Sequence, residues 1–104
     1  MKFKACRYFI CGVGKRPTPV RGFAVDGVLV DGEPVRIAVR RPHEFSERWQ
    51  ADDWDTGMAL SRGTHKTRVG AVGGAVSEIK RYGIDEYNRR KRIALMAGAL
   101  RGDQ

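Results

Sequence analysis

The chain has 104 residues, a formal net charge of +8 and a sequence pI of about 10.1. That length suits one domain with one core, and a hydrophobic fraction of 41% is too high for an intrinsically disordered chain. No apolar run is long enough for a signal peptide or a membrane span, so we predict a single cytoplasmic domain over residues 1–104.

Alternation of apolar and polar residues predicts strands in the first half of the chain. The run from Lys2 to Cys11 has apolar side chains on both faces, which is typical of an interior strand. A basic loop with two glycines and two prolines follows, and a second strand-like run extends from Val20 to Val30. We expect the main hairpin turn at Asp31 to Pro34, because the half-buried pattern of a returning strand, Val35 to Arg40, begins directly after it.

The next segment combines aromatic and acidic residues. We interpret Glu47 to Ala51 as a fourth strand, Asp52 to Gly57 as an acidic turn and Met58 to Ser61 as a short fifth strand. Trp49 on the strand is expected in the core, whereas Trp54 inside the turn is expected to be partly exposed.

Two amphipathic helices complete the predicted fold. The first is expected to begin with Thr64 as its N-cap and to end at Gly83; the second is expected to begin with Asp85 as its N-cap and to end at Gly102. Apolar residues recur at spacings of three and four in both: Val69, Val72, Val76 and Ile79, then Ile93, Met96, Ala97 and Leu100. We therefore predict an α+β fold, in which an antiparallel, meander-like sheet of four to five strands precedes two C-terminal helices that pack on one face.

The first helix contains three interior glycines, Gly70, Gly73 and Gly74. Each lowers helix stability by roughly 0.5 to 1 kcal/mol relative to alanine. Either the helix packs so closely on the sheet that a Cβ atom would not fit, or it begins later, near Gly74.

The positive charge is unevenly distributed. Residues 1–25 have a net charge of +6, residues 26–60 of −4 and residues 61–104 of +6. Fourteen of the twenty basic residues are arginines, whose planar guanidinium group suits phosphate and carboxylate. The pattern predicts separate basic and acidic surfaces, although arginine-rich runs also occur on solvated faces that bind nothing.

Two basic segments are candidates for contacts with nucleic acid or another acidic partner. The first lies in and after the basic loop and contributes Lys15, Arg16 and Arg21. The second is the start of the last helix, with the residues Arg89, Arg90, Lys91 and Arg92.

Two further surfaces are candidates for protein contacts. The acidic turn offers Asp52, Asp53, Trp54 and Asp55, and an exposed tryptophan favours a protein interface. The last helix is apolar around most of its circumference near Ile93, Met96 and Leu100, which suits a homodimer. The alternative for this helix is simple packing on the first helix.

No motif in the chain predicts a reaction. Gly14-Lys15 lacks the first glycine and the Ser or Thr of a phosphate loop, and the aspartates near Trp54 lack the spacing of a calcium loop. Cys6 with His43 could form a nucleophile and its base, but a cysteine within an apolar strand should be inert. We therefore expect no metal, no cofactor and no enzymatic activity.

Two functional hypotheses remain. The first is a non-enzymatic basic binding module, such as a phage or mobile-element accessory protein, that docks on nucleic acid or on a nucleoprotein machine. The alternative is a protein-directed inhibitor of a host complex that handles nucleic acid or provides defence, similar in action to an anti-CRISPR protein.

Overall fold

The computed structural model describes the backbone of residues 1–10 and 17–102 and the side chains of residues 1–10 and 17–96. Within these residues the elements follow in the order β1 (Phe3–Ile10), β2 (Thr18–Val25), β3 (Leu29–Val30), β4 (Glu33–Pro34), β5 (Ile37–Arg40), β6 (Gln50–Asp53), α1 (Arg68–Tyr82) and α2 (Ile84–Gly102). The predicted α+β class is confirmed, because a four-stranded antiparallel sheet precedes two C-terminal helices.

The main sheet has the strand order β1-β2-β5-β6. Between β2 and β5 the chain forms a separate small hairpin from β3 and β4. Asp31 and Gly32 connect these two strands with φ angles of 51° and 80°, and positive φ at both central residues is typical of a type I′ turn. The predicted hairpin turn is confirmed, but it joins two short strands instead of the long ones.

The prediction that β1 is an interior strand is wrong. Within the described sheet β1 lies at an edge and pairs with β2 alone, and its Phe9 is 60% exposed. The sheet nevertheless curves enough for its two edge strands to touch through side chains, because the Tyr8 hydroxyl of β1 lies 2.8 Å from the Asp52 carboxylate of β6. Gly57, which follows that strand, packs directly on the backbone of Phe9 and Ile10.

The segment around β6 also differs from the prediction. The strand is Gln50–Asp53, so Asp52 and Asp53 belong to a strand and not to the acidic turn. The predicted fifth strand is reduced to an isolated bridge between Asp52 and Ala59. Its regular ladder is lost because the amides of Leu60 and Ser61 both donate to the carbonyl of Ala51.

The N-cap of helix α1 lies three residues after the predicted one. Thr67 is the N-cap, and its hydroxyl oxygen accepts a hydrogen bond of 2.9 Å from the amide of Gly70. The predicted start at Thr64 is wrong because the next residue, His65, is still extended and exchanges two backbone hydrogen bonds with Trp49. Val69, a member of the predicted apolar stripe, is 56% exposed, and the buried face consists of Ala71, Val72, Ala75 and Ile79.

The junction between the helices is a single glycine. Gly83 caps α1 as predicted, with a φ of 93° that favours glycine. Helix α2 begins directly afterwards at Ile84, so Asp85 lies in its first turn and is not the N-cap. No described helix is both long enough and apolar enough to cross a membrane.

The core lies between α1, the start of α2 and one face of the sheet. It is built largely from small and β-branched side chains, which lets the helix approach the strands closely. Its buried members are Val25, Val30, Val35, Ile37, Val39, Ala51, Leu60, Ala71, Val72, Ala75, Ile79 and Tyr87.

Two adjacent glycines of α1 differ in their surroundings and provide a matched pair of substitutions. A Cβ on Gly73 would meet nothing within 4 Å, so Gly73→Ala is expected to raise the free energy of unfolding by roughly 0.5 to 1 kcal/mol through helix propensity. A Cβ on Gly74 would lie 2.5 Å from Nε2 of His65, so the imidazole would have to move, and Gly74→Ala is expected to gain less stability than Gly73→Ala or to lose some. Urea unfolding of both variants measures the difference, and equal stabilisation by both would contradict the close packing of His65 on the helix.

Candidate functional site

A cleft of about 960 Å³ opens between the β1–β2 hairpin, the end of β5 and the N-terminus of α1. Its lining is rich in arginine, with Glu44 as the acidic residue among the described residues. The arginines come from four separate segments of the chain and are Arg7, Arg21, Arg40, Arg41 and Arg68.

Arg7 and Arg21 lie directly opposite each other on β1 and β2. Like charges in this position repel and destabilise a strand pair. Both side chains are exposed, and within the described part of the chain neither forms an ion pair. The pair therefore holds positive charge that a bound anion would neutralise.

Within the described residues, Arg68 is held by aromatic rings instead of by a carboxylate. Its guanidinium carbon lies 3.8 Å from the ring centroid of Phe23, 4.7 Å from that of Trp49 and 5.8 Å from that of Phe3. Such cation–π contacts position the group without cancelling its charge. Arg68 is also the first residue of α1, where the helix dipole adds further positive potential.

Arg40 lies on the face of the sheet opposite to that of Arg7 and Arg21, and it is tied to a buried carboxylate. Its Nε donates to Oδ2 of Asp52 at 2.7 Å, and the Tyr8 hydroxyl donates to the same oxygen at 2.8 Å. Burial raises the pKa of Asp52, although the Arg40 charge opposes this, and burial also raises the pKa of Tyr8. The Tyr8 hydroxyl therefore remains a proton donor at neutral pH.

The basic start of α2 is largely paired with carboxylates. Arg89 and Arg90 both contact Oε1 of Glu86, at 2.6 and 2.9 Å, and their hydrogen bonds lower the pKa of Glu86 to about 2. Lys91 lies 2.7 Å from an Asp55 oxygen. Arg92 is exposed and has no ion pair within the described residues. Neutralisation by these neighbours weakens the predicted positive surface.

The predicted basic segment in and after the N-terminal loop is only partly described by the structure. Arg21 lines the cleft. Lys15 and Arg16 lie outside the described residues.

The acidic residues of β6 are buried and engaged internally, which corrects their predicted place in an exposed turn. Asp53 accepts hydrogen bonds from the hydroxyl of Tyr87, from the amide and hydroxyl of Thr56 and from Lys91. Asp52, on the opposite face of the strand, is only 1% exposed. These two carboxylates hold the strand in place and present no charge to a partner.

Trp54 and Asp55 remain at the surface of the turn. Trp54 is half-buried, as predicted, with the guanidinium carbon of Arg36 4.3 Å from its ring centroid. Asp55 lies 3.2 Å from Nε of the same arginine. Trp49 is also only half-buried, with its ring at an angle of 64° against that of Phe23.

The apolar side of α2 is open where the structure describes it. Ile93 and Met96 are 54% and 65% exposed, so neither packs on α1. The side chain of Leu100, the third residue of the predicted dimer contact, lies outside the described residues. The homodimer stays a prediction.

Comparisons with known proteins assign no family to this chain. No protein-family model, no curated protein and no solved structure matches the chain.

The cleft also contains the two residues that could form a nucleophile and its base. Cys6 and His43 both line it, but burial raises the pKa of the Cys6 thiol, which leaves little reactive thiolate at neutral pH. No group of three or more His, Cys, Asp or Glu residues in the described part of the chain could hold a metal ion.

Sequence reasoning missed Arg7, Arg40, Arg41 and Arg68 as cleft residues. A signal existed for the first, since a hairpin that joins the two N-terminal strands symmetrically places Arg7 opposite Arg21. No local pattern indicated the others, because curvature of the sheet and the later start of α1 bring them to the cleft.

Proposed function

We propose that this protein binds nucleic acid through the arginine-lined cleft and catalyses no reaction on it. The observation that carries the proposal is the direct opposition of Arg7 and Arg21 without a neutralising carboxylate among the described residues. Two like charges held face to face raise the energy of the free protein, and a phosphate placed between them lowers it.

The arrangement of the arginines favours a phosphate backbone as the ligand. Arginine forks match phosphate geometry, and a nucleic-acid strand brings several phosphates at regular intervals to the several arginines of the cleft. Phe23 and Trp49 hold Arg68 in place. Its side chain is therefore ordered in the free protein and loses little conformational entropy on binding.

Titration with DNA and RNA oligonucleotides at two salt concentrations tests the proposal. Affinity is expected to fall steeply as salt rises, because each neutralised phosphate releases condensed counterions. The double variant Arg7→Gln/Arg21→Gln is expected to weaken binding by about tenfold or more and to reduce the salt slope by about 1.5 to 2, which corresponds to two lost phosphate contacts.

Arg89→Gln/Arg90→Gln is the matched control, since it removes the same formal charge from a different surface. Its effect on affinity is expected to be smaller, because both arginines already pair with Glu86. Equal losses in the two double variants would place the interface on α2 instead. Affinity that is independent of salt in the unmodified protein would contradict nucleic-acid binding altogether.

The inhibitor hypothesis depends on the surface of the turn, where Trp54 and Asp55 remain accessible. It predicts no salt-sensitive affinity for bare DNA or RNA. Trp54→Ala is then expected to abolish capture of a protein partner, and Phe45→Ala, at an exposed aromatic residue, is the control.

A further inference from the structure

The end of β1 exposes an aromatic ring beside the opposed arginines. Phe9 follows Arg7 by two residues, so both side chains lie on the same face of the strand, with their Cα atoms about 7 Å apart. Phe9 is 60% exposed, so its ring contributes little to the core of the free protein. A large apolar ring and an unpaired guanidinium group are thus presented side by side.

The neighbouring strand continues this surface. Pro19 of β2 lies opposite Phe9, just as Arg21 lies opposite Arg7, and both β2 residues are exposed. Side chains in such opposed pairs lie about 4.5 to 5.5 Å apart at their Cβ atoms. We call these four residues the hairpin platform. Because Arg7 and Arg21 also line the cleft, the platform extends the cleft outward along the β1–β2 hairpin.

The hairpin platform is open to solvent, although it lies on the face of the sheet that α1 covers elsewhere. Arg68, the first residue of α1, contacts Phe3 and Phe23 on that face. Further along β1, Ala5, Arg7 and Phe9 are all exposed. The platform is therefore accessible to a ligand in the free protein.

Rings and charge together favour a strand with unpaired bases. Every base has a π face that stacks on an aromatic side chain, whatever the sequence, while arginines contact the phosphates. In a duplex the bases pair and stack on each other, and the grooves present only their edges. A single strand can therefore use both parts of the hairpin platform, whereas a duplex can use only its arginines.

Charge alone would favour the opposite choice. A duplex has the higher charge density, so each phosphate contact releases more counterions from a duplex than from a single strand. A preference for the single strand consequently reports the contribution of the ring and not that of the arginines.

We infer that the protein binds single-stranded nucleic acid in preference to a duplex, with the Phe9 ring stacked on an unpaired base and with Arg7 and Arg21 on an adjacent phosphate. The inference rests on the proposed nucleic-acid binding and extends it to the strandedness of the ligand. Phe9 is then a specificity-determining residue, and Pro19 enlarges the apolar surface beside its ring.

Fluorescence anisotropy with one labelled oligonucleotide of mixed sequence tests this inference. The oligonucleotide is titrated as a single strand and after annealing to its unlabelled complement, at one salt concentration, both as DNA and as RNA. The single strand is expected to bind about fivefold more tightly than the duplex, or better. Phe9→Leu keeps an apolar side chain but removes the ring, so it is expected to abolish this preference without weakening duplex binding.

Two further variants separate stacking from other effects. Phe9→Trp restores a ring and is expected to retain the preference for the single strand. Phe45→Leu is the matched control, because it removes an exposed ring from the segment between β5 and β6, outside the hairpin platform, and it should leave the preference unchanged. The salt slope should be the same in all three variants, since none removes a phosphate contact. Thermal unfolding checks that each variant is folded.

The two proposals fail in different ways. If the unmodified protein binds neither the single strand nor the duplex, nucleic-acid binding itself is overturned. Only the single-strand inference is overturned if the duplex binds as tightly as the single strand, if Phe9→Leu keeps the full preference, or if Phe45→Leu loses as much of it.

Discussion

Gly57→Ala is expected to lower the free energy of unfolding by about 3 kcal/mol or more. A Cβ at this position would overlap the carbonyl oxygen of Phe9 and lie 2.7 Å from Cα of Ile10, so the backbone of β1 would have to move. The φ of Gly57, 73°, adds about 1 to 2 kcal/mol of strain for a residue with a Cβ. Because small domains are stable by only about 5 to 15 kcal/mol, this loss is a large share of the total.

Gly63 provides a control that separates the two contributions. It has the same φ of 73°, but an added Cβ would meet nothing within 4 Å. Gly63→Ala is therefore expected to lose only the conformational part, about 1 to 2 kcal/mol. Urea unfolding followed by tryptophan fluorescence gives both values, and similar losses would show that β1 does not lie against the turn after β6.

Removal of the Asp53 carboxylate is expected to destabilise the protein by about 3 to 5 kcal/mol in Asp53→Ala. Asp53 is completely buried and accepts from Tyr87 and Lys91 of α2 and from Thr56 of the following turn. In the variant the Tyr87 hydroxyl stays buried but loses this hydrogen-bond partner. The desolvation penalty of the hydroxyl then adds to the free energy lost with the hydrogen bonds. The carboxylate thus joins α2 to the sheet.

The neighbouring Asp55 supplies the comparison. It also contacts Lys91, at 2.7 Å, but lies at the surface, where an ion pair contributes only about 0 to 1 kcal/mol. Asp55→Ala is therefore expected to change stability by no more than that. A calorimetric comparison of the two variants measures the difference, and equal effects would mean that the burial of Asp53 is not what makes it stabilising.

The fold was largely predictable because its signals are local. The alternation around Ile37 and Val39 and the glycine at position 83 depend only on near neighbours, and they lie in a strand and at a helix end, as the sequence predicts. Distance along the chain explains what could not be predicted. Asp52 and Asp53 resemble an exposed turn in sequence because their partners Tyr8 and Tyr87 are 44 and 34 residues away.

The candidate site was harder to predict for the same reason. Its arginines have no common motif and become neighbours only through strand pairing and sheet curvature. The consecutive arginines of α2 are conspicuous in sequence, yet Glu86 at a helical spacing of three and four already pairs with two of them. A run of charge in a sequence does not reveal which charges are left unpaired.

The glycines of α1 also have a consequence for the order of folding. A helix of 15 residues with three interior glycines is scarcely populated on its own, so α1 should form only when β5 and β6 offer it an apolar surface. We therefore expect the sheet to form in the folding transition state and α1 to dock afterwards. Gly73→Ala should then slow unfolding and leave the folding rate nearly unchanged, and the protein should fold at the slower pace of sheets instead of that of helical bundles.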